Sequence, residues 1–279
     1  MKRLKFFRRT FFIRFILILY SIIVIIPFLM IFINSFKTNR EFYESIWALP
    51  RRLNFDNYVL AFEQANISQY FLNTVIVCVT SVILTLSLST MVSYAIARRK
   101  MKSGPKLYFL FLIGLLIPQI VGIVPLFLMA RVFRLFDTLF ILILSYATAT
   151  IPFCVFVLTA FFKTLPSDLE EAARIDGASN THVLISIMTP LAKPGLITAG
   201  VFCFLDYWSE YMKALAFIAT PSRKTISLGM LTFKPVSGFK IDWGVLCAAC
   251  VLFILPVVVV YAVFQRNLLD GLTAGAIKG

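Results

Sequence analysis

Five stretches of this chain run for more than twenty residues without one charged side chain: residues 15–36, 70–97, 107–130, 138–162 and 244–265. A helix needs about 20 apolar residues to cross a bilayer. Inside hydrocarbon every backbone N–H and C=O must be satisfied within the chain, so runs of this kind have to be helical. A sixth, weaker stretch at 196–218 is interrupted by Asp206, Glu210 and Lys213. Composition agrees, since 60% of residues are hydrophobic and 14% charged, against about 45–50% and 25% in soluble domains. One soluble core cannot bury that excess. A soluble enzyme, a disordered tail and a disulfide scaffold are excluded, and the expected fold is an all-α integral membrane protein with six transmembrane helices.

The net charge of +14 would suggest nucleic acid in a soluble protein. Here the basic residues flank the runs, where they meet anionic lipid headgroups, and no nucleic-acid partner is expected. Lys2, Arg3, Lys5, Arg8, Arg9 and Arg14 precede the first run, and Arg98, Arg99, Lys100, Lys102 and Lys106 crowd the loop after the second. With six spans both clusters fall on one side, which the positive-inside rule makes cytoplasmic, and both termini with it. The first run is longer than a signal-peptide core and lacks a small-residue cleavage site, so it reads as a retained anchor. All five cysteines lie in apolar stretches. The C-x-x-C of Cys247 and Cys250 has no neighbouring charge to lower a thiol pKa and reads as small buried hydrophobes.

Several spans carry more than apolar bulk. Ser81, Thr85, Ser89 and Ser93 recur every fourth residue, a polar-small stripe about 18 Å long. Such a stripe lets helices approach closely and bond across the seam, or else lines a pore. The third run holds Pro118, Gln119, Gly122 and Pro125, so it must kink or unwind. Pro152 and Pro256 predict further kinks.

The segment 163–195 reads KTLPSDLEEAARIDGASNTHVLISIMTPLAKPG and is longer than a connector needs to be. Pro166 ends the preceding span. Ser167 and Glu170 are spaced as a capping box that starts a helix at Asp168, and Asp168, Glu170 and Glu171 suit its positive end. Gly177 stops that helix. A second short helix is expected over 179–188, ended by Pro190 and Pro194. The pair would form a compact cytoplasmic knob. The outer segment 34–69 is too short for a catalytic domain, and its Asn66-Ile67-Ser68 sequon carries no weight.

The string EAARIDGAS at 171–179, followed by Ile187 and Pro190, resembles the EAA loop of permease subunits in binding-protein-dependent ABC importers. Further matches resemble the maltose- and multiple-sugar-type branch: Asn34-Ser35-Phe36-Lys37, Asn57-Tyr58, Asn73-Thr74, Tyr94-Ala95-Ile96-Ala97-Arg98, the Pro118/Pro125 pair, Trp208-Ser209-Glu210 and the tail GLTAGAIKG at 271–279. The resemblance runs from Asn34 to the last residue. It departs at Thr189, where the family has leucine, and at Leu184 and Ser186, where a large aromatic and a basic residue are usual.

The resemblance implies the type I ABC importer permease fold. It places an N-terminal segment, first helix and outer segment at 1–69, the permease domain at 70–265 and a cytoplasmic tail at 266–279. It also implies a second permease subunit, two ATPase subunits that carry ATP-Mg, an extracytoplasmic solute-binding protein and a carbohydrate substrate. The ATPase-coupling residues would be Glu171, Ala172, Ala173, Asp176, Gly177 and Pro190. This chain has no G-x-x-x-x-G-K-[ST] phosphate loop, so it binds no cofactor of its own by that means and is not expected to be an enzyme.

Acids within spans are costly and face a bundle interior or water. Gln119, Asp206, Tyr207, Trp208 and Glu210 are therefore candidates to line a sugar path, and Tyr211 belongs to the same cluster. Glu210 and Lys213, three apart on a helix, read equally as a structural ion pair. His182 stands alone without Cys or acidic neighbours, so no metal site is expected. Two alternatives stand beside a sugar importer. One is an importer of another solute, and the other is an ion-coupled carrier, which would need midplane carboxylates and usually an internal repeat.

Overall fold

A computed structural model describes residues 2–64, 66–99, 101–232 and 242–276, with side chains over 11–63, 66–99, 101–231 and 242–268. The basic residues at 2–9, Lys100 and the GLTAGAIKG side chains fall outside the described side chains. The chain divides into two compact units, residues 1–67 with 229–255 and residues 68–228 with 256–279. The secondary structure among the described residues is helical throughout, with no strand.

In the first unit, α1 (Lys2–Asn34) carries the first span. Its side chains from Phe11 to Leu29 are exposed almost all round, as befits an apolar membrane-spanning helix. Short helices α2 (Asn39–Glu44) and α3 (Asp56–Gln64) follow. Thr38 and Glu41 form a capping box at α2, the Glu41 carboxylate accepting the Thr38 N–H at 3.0 Å. Two of the sequence motifs interlock here. Asn57 Nδ2 donates to the carbonyls of Ser35 and Lys37, each at 2.8 Å, and the Ser35 and Tyr58 hydroxyls meet at 2.8 Å. Lys37 is 1% exposed, and its ammonium donates to the Ser45 and Ile46 carbonyls at 3.0 Å. Burial pushes its pKa below the usual lysine value. Gly244 lies against this lock: a Cβ there would come within 2.5 Å of both Asn57 Nδ2 and the Lys37 carbonyl.

The second unit holds α4 (Ile67–Arg98), α5 (Gly104–Leu116), α6 (Ile123–Val132), α7 (Leu139–Thr164), the knob helices α8 (Asp168–Ile175) and α9 (Asn180–Leu191), then α10 (Lys193–Ser209) and α11 (Met212–Phe217). The last helix, α12 (Trp243–Ala276), crosses between units at Pro256. Among the described residues four helices are long and apolar enough to span, or six when each of two bent pairs counts as one span.

The expected stripe on α4 is a packing seam. Ser81, Thr85, Ser89 and Ser93 are each 0% exposed. Ser81 and Ser93 donate to the carbonyls of Ile143 and Val155 on α7, at 3.4 and 3.3 Å. In lipid no hydrophobic drive pulls helices together, so close backbone approach and bonds worth about 0.6 kcal/mol each hold the seam. Gly114 serves α5 in the same way, for a Cβ there would sit 3.1 Å from Pro152 Cγ of α7.

The break expected in the third run is present, and the weaker run is corrected. The run 107–130 is a broken pair, α5 and α6 turning through 92°. Pro118 forbids helix at Ile117, and both residues are extended. The run 196–218 is not one helix either. α10 ends at Ser209, Glu210 is extended, and α11 begins at Met212.

At the end of this unit away from the knob, Asp137 (φ 60°) closes a clasp. Its carboxylate accepts the N–H groups of Ala219 and Thr220 at 2.9 Å each, and the Thr220 hydroxyl at 2.5 Å. It also pairs with Arg223 at 3.2 Å. Burial alone would raise its pKa, but these bonds outweigh it and hold the carboxyl below its usual range. Asn73 donates to the carbonyls of Ser222 and Lys224 at 2.8 and 2.9 Å, and Thr74 accepts the Ile226 N–H at 2.8 Å. The sequence motif at 73–74 thus anchors the same loop.

Candidate functional site

The break between α5 and α6 opens a cavity of about 260 Å³, walled by Gly114, Gln119, Thr150, Phe153, Phe202, Cys203 and Asp206 among others. Phe202, Cys203 and Asp206 share a face of α10 by their three- and four-residue spacing. The cavity therefore presents an amide, a hydroxyl and a carboxylate beside two aromatic rings, which meet edge-on with centroids 5.6 Å apart. Two of the five sequence candidates, Gln119 and Asp206, line it.

The other three sit behind or beside it. Tyr207 is 2% exposed. Its hydroxyl bonds those of Thr85, at 2.8 Å, and Thr150, and its ring stacks on Tyr146 with centroids 5.5 Å apart. Trp208, also 2% exposed, packs on Phe204 and edge-on against Phe71. Glu210 makes no side-chain ion pair with Lys213. Its carboxylate accepts the backbone N–H of Lys213 at 2.7 Å and of Ala214 at 3.2 Å, capping α11, and the Tyr146 hydroxyl at 2.9 Å. The reason is the helix break at Glu210, which removes the helical i, i+3 geometry and leaves free N–H groups at the start of α11. The Lys213 ammonium, on a residue 5% exposed, instead donates to Gln119 Oε1 at 2.9 Å. That bond spans 94 residues of sequence and left no local signal.

Cys154 and Cys203 are free thiols with sulfurs 3.3 Å apart. Among the described residues no group of three or more His, Cys, Asp or Glu side chains could hold a metal.

The knob forms as two helices about Gly177. At the end of α8 the Gly177 N–H bonds the Arg174 carbonyl at 3.1 Å and the Ala178 N–H bonds that of Ala173 at 2.9 Å, with Gly177 at φ +81°. This is a Schellman turn, which needs a left-handed residue at that position. The capping box expected from Ser167 and Glu170 does not form. Ser167 is in the helical region and makes no cap bond, because Glu170 is turned inward to Tyr94, Arg98 and Arg174.

Ser179 caps α9, accepting the His182 N–H at 3.2 Å. Pro190 does not end this helix but lies in its final turn. Residues Val183–Met188 widen into a π-turn just before it, which makes room for a ring that lacks an N–H and crowds the preceding carbonyls. Thr189, the departure from the family pattern, donates its hydroxyl to the Leu184 carbonyl at 2.7 Å within that wide turn. The chain then bends 77° into α10.

Of the coupling candidates, Glu171, Ala172, Asp176, Gly177 and Pro190 are exposed and Ala173 is half-buried. Four apolar side chains stand out with them: Leu169, Ile185, Leu191 and, at 85% exposure, Ile175. The sequence reading passed over these four. Helical spacing brings Leu169 and Ile175 near the EAA residues. An exposed apolar knob of this kind, on a bundle that includes two bent pairs of membrane helices, is the architecture of a transport subunit.

Comparison with known proteins agrees. Residues 105–273 match the family described as binding-protein-dependent transport system inner membrane component. The chain is 38% identical to the diacetylchitobiose uptake system permease protein NgcG of Streptomyces coelicolor, over 94% of this chain and 87% of that one. It is 33% identical to the trehalose/maltose transport system permease protein MalG of Thermococcus litoralis, over 94% of each. A bacterial ABC transporter involved in the import of alginate has the same fold, with a TM-score of 0.83 at 22% identity over 93% of this chain and 96% of that one. The chain belongs to the binding-protein-dependent transport system inner membrane component family, as a multi-pass permease of a type I ABC importer. It is a transport component and not an enzyme, and the ion-coupled alternative is set aside.

Proposed function

We propose that this permease forms one half of a path for an oligosaccharide across the bacterial inner membrane. The observation that carries the sugar reading is the cavity that groups Gln119, Thr150 and Asp206 with the rings of Phe153 and Phe202. Amide, hydroxyl and carboxylate groups suit sugar hydroxyls, and aromatic faces suit the apolar faces of sugar rings. The names of the relatives support it. A second, similar permease supplies the facing wall, and a solute-binding protein delivers the sugar. Tyr207 and Trp208 brace α10 from behind, while Glu210 and Lys213 hold the break between α10 and α11 against Tyr146 and Gln119.

The membrane core covers 70–265 and both termini are cytoplasmic. The knob within 163–195 docks one of two ATPase subunits, which bind and hydrolyse ATP-Mg. Glu171, Ala172, Ala173, Asp176, Gly177 and Pro190 form the docking face together with Leu169, Ile175 and Ile185.

The test is a reconstituted importer in vesicles, offered labelled diacetylchitobiose, trehalose and maltose with its binding protein. Uptake of at least one that needs internal ATP is expected. Uptake of none, with an amino acid or phosphate carried instead, refutes the sugar reading. A reporter active only outside the cell, fused after Gly279, should stay silent.

A further inference from the structure

Glu170 is the buried member of an otherwise exposed helix. It is 6% exposed, whereas its neighbours Leu169 and Glu171 are exposed. Its carboxylate accepts the Tyr94 hydroxyl and an Arg174 N–H at 2.9 Å, and lies 3.6 Å from Arg98 Nε. Tyr94 and Arg98 are four residues apart on one face of the last turns of α4. The other end of the Arg98 fork donates to the carbonyls of Leu165 and Pro166, at 2.8 and 2.9 Å, in the strand of chain leading to α8. The sequence motif at 94–98 and the knob are thus one structure.

We infer that Glu170 is a positioning residue for transport, the link through which displacement of the knob is passed to α4 and from there to the cavity wall. Resting on the proposal that α8 docks the ATPase, this names the group inside the permease that takes up the motion. The physical route is short. α8 has two turns and moves as a rigid piece. From Tyr94, α4 runs about 14 Å to Thr85, whose hydroxyl bonds Tyr207, which bonds Thr150 in the cavity. Each contact in the relay is a buried bond between groups on different helices, and such packed contacts switch between discrete arrangements instead of yielding gradually.

The experiment uses the whole importer in nanodiscs, with Ala149→Cys, at a half-buried position of the cavity wall, as the reporter. The rate of its modification by a maleimide is read by mass spectrometry, at rest and after trapping with ATP and vanadate. With Glu170 present the two rates should differ about tenfold, a usual size for coupling between sites. In Glu170→Ala and in Tyr94→Phe the ratio should fall to about twofold or less while the ATPase still copurifies. A brace without a role in transmission would change assembly but leave the ratio in the assembled complex alone. Tyr94→Phe removes one oxygen, so it reads the link even where Glu170→Ala fails to assemble.

A ratio unchanged in Tyr94→Phe, or in assembled Glu170→Ala, overturns the inference, as do equal rates in the importer with Glu170 intact. Failure of the docking proposal shows separately: Ala173→Trp would then copurify the ATPase and hydrolyse ATP at the full rate.

Discussion

Gly177 offers a measurement in which backbone and packing effects separate. Its φ is +81°, and a Cβ built there meets nothing within 4 Å, so within this subunit a side chain costs only backbone strain. For an L residue that strain is about 1–2 kcal/mol, with a β-branched side chain at the top of the range. The turn it would distort is held by two backbone bonds of 2.9 and 3.1 Å, each worth about 0.5–1.5 kcal/mol net. With the two bonds together at the low end of that range, about 1 kcal/mol, and the strain of valine at about 2 kcal/mol, the formed turn lies about 1 kcal/mol uphill and drops to a minor share of the population. If the ATPase binds only the formed turn, its apparent Kd rises by the same factor, about three- to tenfold for Gly177→Val.

Asn tolerates the left-handed region, so Gly177→Asn should stay within about twofold of the original. The assay is titration of the labelled ATPase onto the permease pair in nanodiscs. The expected order of affinity is Gly, Asn, Ala, Val. An order of Gly, Ala, then Asn with Val would refute the reasoning, because loss would then follow side-chain size against the partner and not backbone geometry.

Asp137→Ala should free the clasped loop by about 2–3 kcal/mol, the scale of lost charge-assisted bonds, read as roughly 30- to 150-fold faster hydrogen exchange at the Ala219 and Thr220 amides. Because its pKa is depressed in the fold, the clasp is at full strength above the ordinary carboxylate range and is lost only as pH falls through the folded value. Exchange there, corrected for intrinsic rates, should be flat from about pH 5 to 8. Gly195→Ala should destabilise the α7–α10 contact by about 1–3 kcal/mol, since its Cβ would fall 2.5 Å from Phe161 Cγ. Adding Phe161→Ala should restore thermal stability in detergent, and no recovery would mean that the strain lies elsewhere. Gln119→Leu leaves the buried Lys213 ammonium without its 2.9 Å acceptor and should impair sugar uptake more than ATPase copurification. Unchanged uptake in both Gln119→Ala and Asp206→Ala would remove this cavity from the path.

The helical membrane class, the break at Pro118, the helix start at Asp168 and the turn at Gly177 were all legible in the sequence. Each depends on neighbours within a few residues: a run of apolar side chains that must satisfy its own backbone, a proline restricting the residue before it, a glycine free to turn left-handed. The α4 stripe was legible as well, but not its purpose, because spacing alone shows that four small polar groups share a face and not what that face meets. Ser167 and Glu170 had the spacing of a capping box, yet Glu170 is drawn to Tyr94 and Arg98, more than seventy residues away in sequence. Tyr207 and Asp206 adjoin in the chain but point about 100° apart on a helix, one into the bundle and the other into the cavity. Lys213 looked like the partner of Glu210 and is the partner of Gln119. In each of these cases a buried polar group had several chemically adequate partners. Only the tertiary packing, which determines the atoms within 3 Å once water is excluded, selects among them.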